Sequence, residues 1–173
     1  MKDKYTIKHS NKVAEVAVLI GKSLGLSEEQ LKALELAGKL HDIGKIGIPD
    51  EILKKPGPLT PEERKIIEEH PRLGYLILQQ LPAMQELLKA ILYHHERYDG
   101  KGYLQGLKGE EIPLFARILA VADAYSAMRS DRPYRKALSK EEAIEEIKRN
   151  MGKQFDPKIA EKLIELLESG ALE

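Results

Sequence analysis

Apolar residues recur at helical spacing along almost the whole chain, and no segment keeps the strict two-residue alternation of a half-buried strand. His9, Val13, Val16, Ala17, Ile20 and Leu24 share one face of a first helix, with Gly25 as its stop. Ser27 with Gln30 reads as a capping box opening a second helix, whose inward stripe is Leu31, Leu34, Gly38 and His41. Ile43-Gly44-Lys45 ends that helix, and 46–59, with Pro49, Pro56, Gly57 and Pro58, is expected to be loop. Thr60-Pro61-Glu62-Glu63 supplies a cap, a proline at the first helical position and the reciprocating acid. This helix is expected to end near His70, because Pro71 disfavours helical geometry in the residue before it. A further helical piece runs from about Pro71 to Gln80, and Met84, Leu87, Leu88, Ile91 and Leu92 drive a helix that delivers His94 and His95 at its end. Residues 96–112 hold four of the thirteen glycines and are expected to be irregular. From Pro113 a mostly apolar helix carries Asp123 into the core between Leu119 and Ala127; Ser139 with Glu142, and Asp156 with Pro157, open two last helices. The pattern predicts an all-α fold, read as one domain over residues 1–173, with no internal repeat and no linker.

Length agrees, since 173 residues suit one domain that buries about two-thirds of its unfolded surface. Net charge is zero with 32% charged residues, so an anionic ligand must be held by a local cluster and not by a global field. The absence of cysteine excludes disulfides, zinc ribbons and thiolate chemistry. No stretch resembles a signal peptide, and no apolar run approaches the roughly 20 residues of a membrane span, so a cytoplasmic domain is expected. Abundant Glu and Lys with two Asn and no Cys or Trp lean toward a heat-adapted source.

The chemistry lies in the histidines. All five (His9, His41, His70, His94 and His95) fall at helical positions that can meet one another, together with Asp42 and Asp123. A lone histidine on an apolar face is usually a hydrogen-bonded core residue. That reading fails when every histidine takes part and the pattern includes an adjacent His-Asp and an adjacent His-His. Adjacent residues lie about 100° apart on a helix, so His94 and His95 reach one site only if it is wide, such as a metal pair. A carboxylate such as Asp42 can bridge two ions while imidazoles terminate each, and Asp123 would be costly to bury without a cation. Lys45, just past the His-Asp pair, is either a solvated loop lysine or a phosphate contact. Arg129, Arg132, Arg135 and Lys136 are either helix-end charges or phosphate-binding groups. Asp99-Gly100-Lys101-Gly102-Tyr103 is either a tight turn or a loop whose backbone approaches a bulky ligand, with Tyr103 as a stacking face.

With these residues in place the chain resembles an HD-GYP domain, the cyclic di-GMP phosphodiesterase branch of the HD phosphohydrolases. The resemblance runs through His9-Ser10, His41-Asp42-Ile43-Gly44-Lys45-Ile46-Gly47-Ile48-Pro49, His70-Pro71 with Gly74, His94-His95-Glu96-Arg97-Tyr98-Asp99-Gly100-Lys101-Gly102-Tyr103, Asp123-Ala124-Tyr125 and Asp131-Arg132-Pro133-Tyr134-Arg135. It implies a bundle of about seven helices around a buried centre of two or three metals, often iron, with manganese as another candidate. One metal would use His9, His41, Asp42 and Asp123, the other Asp42, His70, His94 and His95, with Asp42 and a hydroxide bridging. Lys45 would hold the scissile phosphate, Arg132 and Arg135 the other phosphates. The loop at Gly102 and Tyr103 would border the substrate and has been associated with docking cyclic-di-GMP-synthesising GGDEF domains. The implied activity is hydrolysis of cyclic di-GMP to the linear dinucleotide, and possible continuation to GMP, with no nucleic acid polymer as partner.

Two positions depart from the family. Leu104 stands where the name motif has proline, so the loop loses a fixed backbone angle. Tyr5 stands where three-metal members carry glutamate, and a phenol is a poor ligand at neutral pH, so two metals are expected. Two rival readings follow: a metal-bearing cyclic-dinucleotide sensor or docking module, and an HD phosphohydrolase acting on another nucleotide.

Overall fold

The computed structural model describes the backbone of residues 2–81, 85–132 and 135–173, and within them the side chains from residue 7 onward except 85 and 86. In chain order the helices are α1 (Lys2–Ser23), α2 (Glu28–Leu40), α3 (Asp50–Leu53), α4 (Pro61–Glu68), α5 (His70–Leu78), α6 (Gln85–Tyr93), α7 (Leu114–Met128), α8 (Lys140–Arg149) and α9 (Pro157–Glu168), with 3₁₀ turns at Ile43–Gly47 and Gly109–Glu111. Among the described residues the only β-type pairings are two isolated bridges, Arg132 with Arg135 and Met151 with Phe155. The all-α expectation holds. Only Glu69 separates α4 from α5, in helical geometry at φ −80° and ψ −10°, so the two form nearly one bent rod.

Local chemistry sets most of the ends. Ser27 with Gln30, Thr60 with Glu63 and Ser139 with Glu142 each form a complete capping box, and the Asp156 carboxylate accepts from the Lys158 N–H. Pro71 sits in the first turn of α5, where its missing N–H costs nothing. The loop expected over 46–59 contains one helical turn, α3. Pro49 precedes it at φ −56°, and Asp50 and Glu51 place negative charge on its first turn. Proline here starts a turn as well as breaking the preceding helix. Met84, expected at the start of α6, lies outside the described residues.

The core gathers Val13, Val16, Ala17 and Ile20 of α1, Leu34 and Ala37 of α2, Leu87, Leu88 and Ile91 of α6, Ile118, Leu119, Val121 and Ala122 of α7, and Ile159 and Leu163 of α9. α7 is buried on most of its circumference and packs on α1, α6, α8 and α9. α2 packs on α1 and α6, and α5 packs on α6 and on the first 3₁₀ turn. That last contact is unusually close. A Cβ on Gly44 would stand 1.8 Å from the His70 carbonyl oxygen and 2.6 Å from the Gly74 nitrogen, both backbone atoms. Only hydrogen fits, and the backbone after His41-Asp42 therefore lies directly on the backbone carrying His70.

Gly44→Ala is expected to force this contact open and destabilise the protein by at least ~3 kcal/mol, the upper part of the overpacking range. In calorimetry this is a fall of about 6–12 °C in Tm. A Tm within about 2 °C of the parent would show that the two segments can separate cheaply.

Candidate metal centre

Five helices deliver one part each to a single place. α1 brings His9, the end of α2 brings His41 and Asp42, α5 opens with His70, His94 and His95 follow the last turn of α6, and α7 brings Asp123. Ligand-type atoms fall into two groups within 4.8 Å: Asp42, His70, His94 and His95, and His9, His41, Asp42 and Asp123. Asp42 belongs to both. Its Oδ2 is 3.1 Å from His41 Nε2, and its Oδ1 is 3.2 Å from His70 Nε2 and 3.7 Å from His94 Nε2. Asp123 Oδ1 is 2.8 Å from His9 Nε2 and 3.5 Å from His41 Nε2.

The backbone decides which imidazole nitrogen faces inward. Nδ1 of His41, His70 and His94 lies 2.6, 2.8 and 2.6 Å from the carbonyl oxygens of Gly38, Ile67 and Ile91, each three residues earlier. A carbonyl only accepts, so each Nδ1 carries the proton and donates. In the neutral ring Nε2 then presents a bare lone pair to the centre, as a metal ligand must. His9 Nδ1 meets the Ser126 hydroxyl at 3.0 Å. His41 Nε2, Asp42 Oδ1 and His94 Nε2 are buried without a hydrogen-bond partner. His70 and His95 point Nε2 at Nε2 across 3.1 Å. Such a set of inward lone pairs and carboxylate oxygens fits divalent cations and suits little else.

Electrostatics agree. Burial pushes the Asp42 carboxyl up, but His41, then His70 and His94, outweigh it and hold it well below the usual range. Burial likewise raises Asp123, and the nearby His41 and His9 imidazoles outweigh it and hold it well below the usual range. Burial lowers His94 and His95, so both stay neutral, while for His41 the Asp42 and Asp123 carboxylates outweigh burial and favour the charged ring. Without a cation the two carboxylates draw a proton toward His41. A dication in either group balances them while leaving the imidazoles neutral.

A cavity of about 290 Å³ opens over the centre, lined in part by His9, Asp42, His94, His95 and Asp123, with Lys45, Arg97 and Arg132 adding positive charge. Asp123 was expected inside the core, yet its side chain keeps 22% exposure, because α7 turns that face toward the cavity. Lys45 Nζ is 3.1 Å from Asp42 Oδ2. Gly102, Tyr103 and Arg135 do not line the cavity; Arg135 is exposed and pairs with Arg132 through backbone alone. Tyr103 lies on His95, ring centroids 5.0 Å apart, so one of its faces is taken. A Cβ on Gly102 would meet the backbone of Glu96 and Arg97 at 2.7 and 2.5 Å, so this glycine serves close backbone approach. Leu104 has φ +94°, which proline cannot adopt, so the loop follows a path closed to the family's motif. The side chain of Tyr5, and Pro133 and Tyr134, lie outside the described residues.

Three residues received no role from the sequence. Ser126 backs His9. Arg97 and Gln154 line the cavity, Arg97 held by two hydrogen bonds to the Asp99 carboxylate. Arg97 stands in the stretch after His95, so proximity was the available signal; nothing in the sequence pointed to Gln154.

The chain matches the HD domain family over residues 1–159. It is 46% identical over 155 residues to the cyclic di-GMP phosphodiesterase response regulator RpfG of Xanthomonas campestris, covering 88% of this chain and 41% of that protein. It is 43% identical over 143 residues to the 3'3'-cGAMP-specific phosphodiesterase 1 of Vibrio cholerae, covering 83% of this chain and 33% of that one. The chain thus spans less than half the length of these curated relatives. In fold it is similar to the HDG"Y"P protein Bd1817 of Bdellovibrio bacteriovorus, with TM-score 0.76, 20% identity, and coverage of 94% of this chain and 52% of that one. No helix among the described residues is long and apolar enough to cross a membrane. On these matches and the motifs at its centre, the chain belongs to the HD domain family, in its HD-GYP branch.

Proposed function

We propose that the chain is a metal-dependent phosphodiesterase that hydrolyses cyclic di-GMP to the linear dinucleotide. The observation that carries this is the pair of four-ligand groups sharing Asp42 beneath a cavity lined by Lys45 and Arg132. Two divalent cations, iron first and manganese second, would be held by His9, His41, Asp42 and Asp123, and by Asp42, His70, His94 and His95. The count of two follows from the two groups and from Tyr5 in place of a further carboxylate. When bound, such a pair would supply Lewis acidity at a phosphoryl oxygen and lower the pKa of a bound water.

The chain's own residues do the rest. The carbonyls of Gly38, Ile67 and Ile91 keep three imidazoles aimed inward, so the centre needs little rearrangement on loading. Asp42 sets the separation of the two groups. Lys45 Nζ, already at Asp42, donates to a non-bridging oxygen of the scissile phosphate, and Arg132 holds a phosphate at the cavity wall. Arg135, exposed and outside the cavity, contacts the distal part of the ligand, and the Gly102-Tyr103 loop borders it. That loop is also the surface on which a cyclic-di-GMP-synthesising domain docks. A second reading has support of its own: 3'3'-cGAMP as substrate fits the Vibrio relative and the altered loop at Leu104. Incubating the metal-loaded chain with each cyclic dinucleotide and resolving products by chromatography tests both. Cleavage of neither would reject the phosphodiesterase reading.

Asp42→Ala is expected to remove both metals and abolish turnover while the chain stays helical; two equivalents of metal in that variant would refute the shared-ligand role. Arg132→Ala is expected to weaken cyclic di-GMP binding about tenfold or more, from the ~1.5–3 kcal/mol of a charged hydrogen bond, with metal content unchanged. Arg135→Ala should cost less than Arg132→Ala, and calorimetric titration that ranks them the other way would reject this placement.

A further inference from the structure

Four histidines of the centre are held by hydrogen bonds on the side away from the candidate cations: His41, His70 and His94 by carbonyl oxygens, and His9 by the Ser126 hydroxyl. His95 differs. Among the described residues its one hydrogen-bond contact is through Nε2 to His70, on the inward side. An imidazole with no such anchor can turn about its Cβ–Cγ bond and lose the direction of its lone pair. Its ring is instead covered by Tyr103, with centroids 5.0 Å apart and planes inclined by 20°.

Tyr103 is itself fastened. The next residue after His95 is Glu96, a carboxylate only 3% exposed, which must find hydrogen bonds to be tolerated there. Its Oε1 accepts from the Gln105 N–H at 2.8 Å and its Oε2 from the Leu107 N–H at 3.2 Å. On the other side of Tyr103, Gly102 lies against the backbone of Glu96 and Arg97 with no room for a Cβ. Between these fastenings the backbone is strained, with Leu104 at φ +94°. Such a conformation persists only where surrounding contacts hold it. The chain thus leaves the metal-binding turn, loops out, and is tied back by a carboxylate so that Tyr103 rests on His95.

We propose that Glu96 and Tyr103 are positioning residues for His95, Glu96 holding the loop and Tyr103 holding the imidazole plane where other histidines have a hydrogen bond behind them. This rests on the reading of His95 as a metal ligand. It follows that the loop and the cation in the Asp42, His70, His94 and His95 group are coupled, and by linkage the coupling is reciprocal. A ligand that lifts Tyr103 loosens that cation, and the cation in turn orders the loop.

The test uses the full chain and Mn²⁺ alone. Calorimetric titration of the metal-free protein should resolve two sites. Tyr103→Ala should weaken one of them about tenfold or more, the usual effect of removing a group that orients a ligand, and leave the other unchanged. Tyr103→Phe, which keeps the stack, should bind like the parent. Glu96→Ala should weaken the same site. In metal-free protein the His95 ring-proton NMR signals, shifted by the overlying Tyr103, should move alike in Glu96→Ala and Tyr103→Ala and stay in place in Tyr103→Phe. Parent-like affinity at both sites in Tyr103→Ala would overturn the proposal, even if Tm fell. So would a Tyr103→Phe variant as weak as Tyr103→Ala. If Glu96→Ala fails to fold, the tyrosine pair decides alone. A parent chain that binds no Mn²⁺, or a His70→Ala variant that keeps both sites, would instead sink the metal reading and the positioning role with it.

Discussion

One carboxylate organises the centre. Asp42 faces His41 through one oxygen and His70 and His94 through the other, and it is buried to 8% exposure. A charge that deep is tolerated only with close counter-charge or strong hydrogen bonds. The surrounding imidazoles supply these in the free protein, and divalent cations supply them better. The three helices that bring His41, Asp42, His70 and His94 together, α2, α5 and α6, therefore have an electrostatic reason to meet as well as an apolar one.

That meeting needs backbone contact as well as side chains. Gly44 lets the turn after Asp42 lie on the first turn of α5, where any larger residue would strike the His70 carbonyl. The same local economy recurs at three histidines. Each donates Nδ1–H to the carbonyl three residues earlier, which becomes available because each stands where a helix ends or bends. Helix termini leave carbonyls without intrahelical partners, and here those carbonyls set the direction of the inward nitrogens. Fold and site share the same hydrogen bonds.

The loop after His95 answers to a different constraint. Its glycines and its buried Glu96 serve close packing and tethering, so residues that look like a ligand-binding loop in sequence are partly occupied in holding their own shape. Tyr103 has spent one face on His95. Leu104, at an angle closed to proline, makes this loop a variant in shape and not only in composition.

Helical periodicity, the three capping boxes and the proline positions are enough to read the longer helices and their order, because these are governed by contacts within a few residues. The gathering of every histidine with Asp42 and Asp123 was legible too, since adjacent His-Asp and His-His pairs have few structural uses. What lay beyond the sequence depends on residues far apart in the chain. The helical turn at α3 went unread because a proline that breaks one helix can open the next. Gln154 reaches the cavity only because the turn before α9 packs beside the loop after His95 through the Tyr98 and Asp99 amides. Arg132 and Arg135 look equivalent in sequence, yet one lines the cavity and the other faces solvent. Sequence determined which side chains are of the right type and spacing to gather; tertiary structure decided which nitrogen, which face and which arginine meet there, because those choices are set by packing between distant segments and not by local spacing.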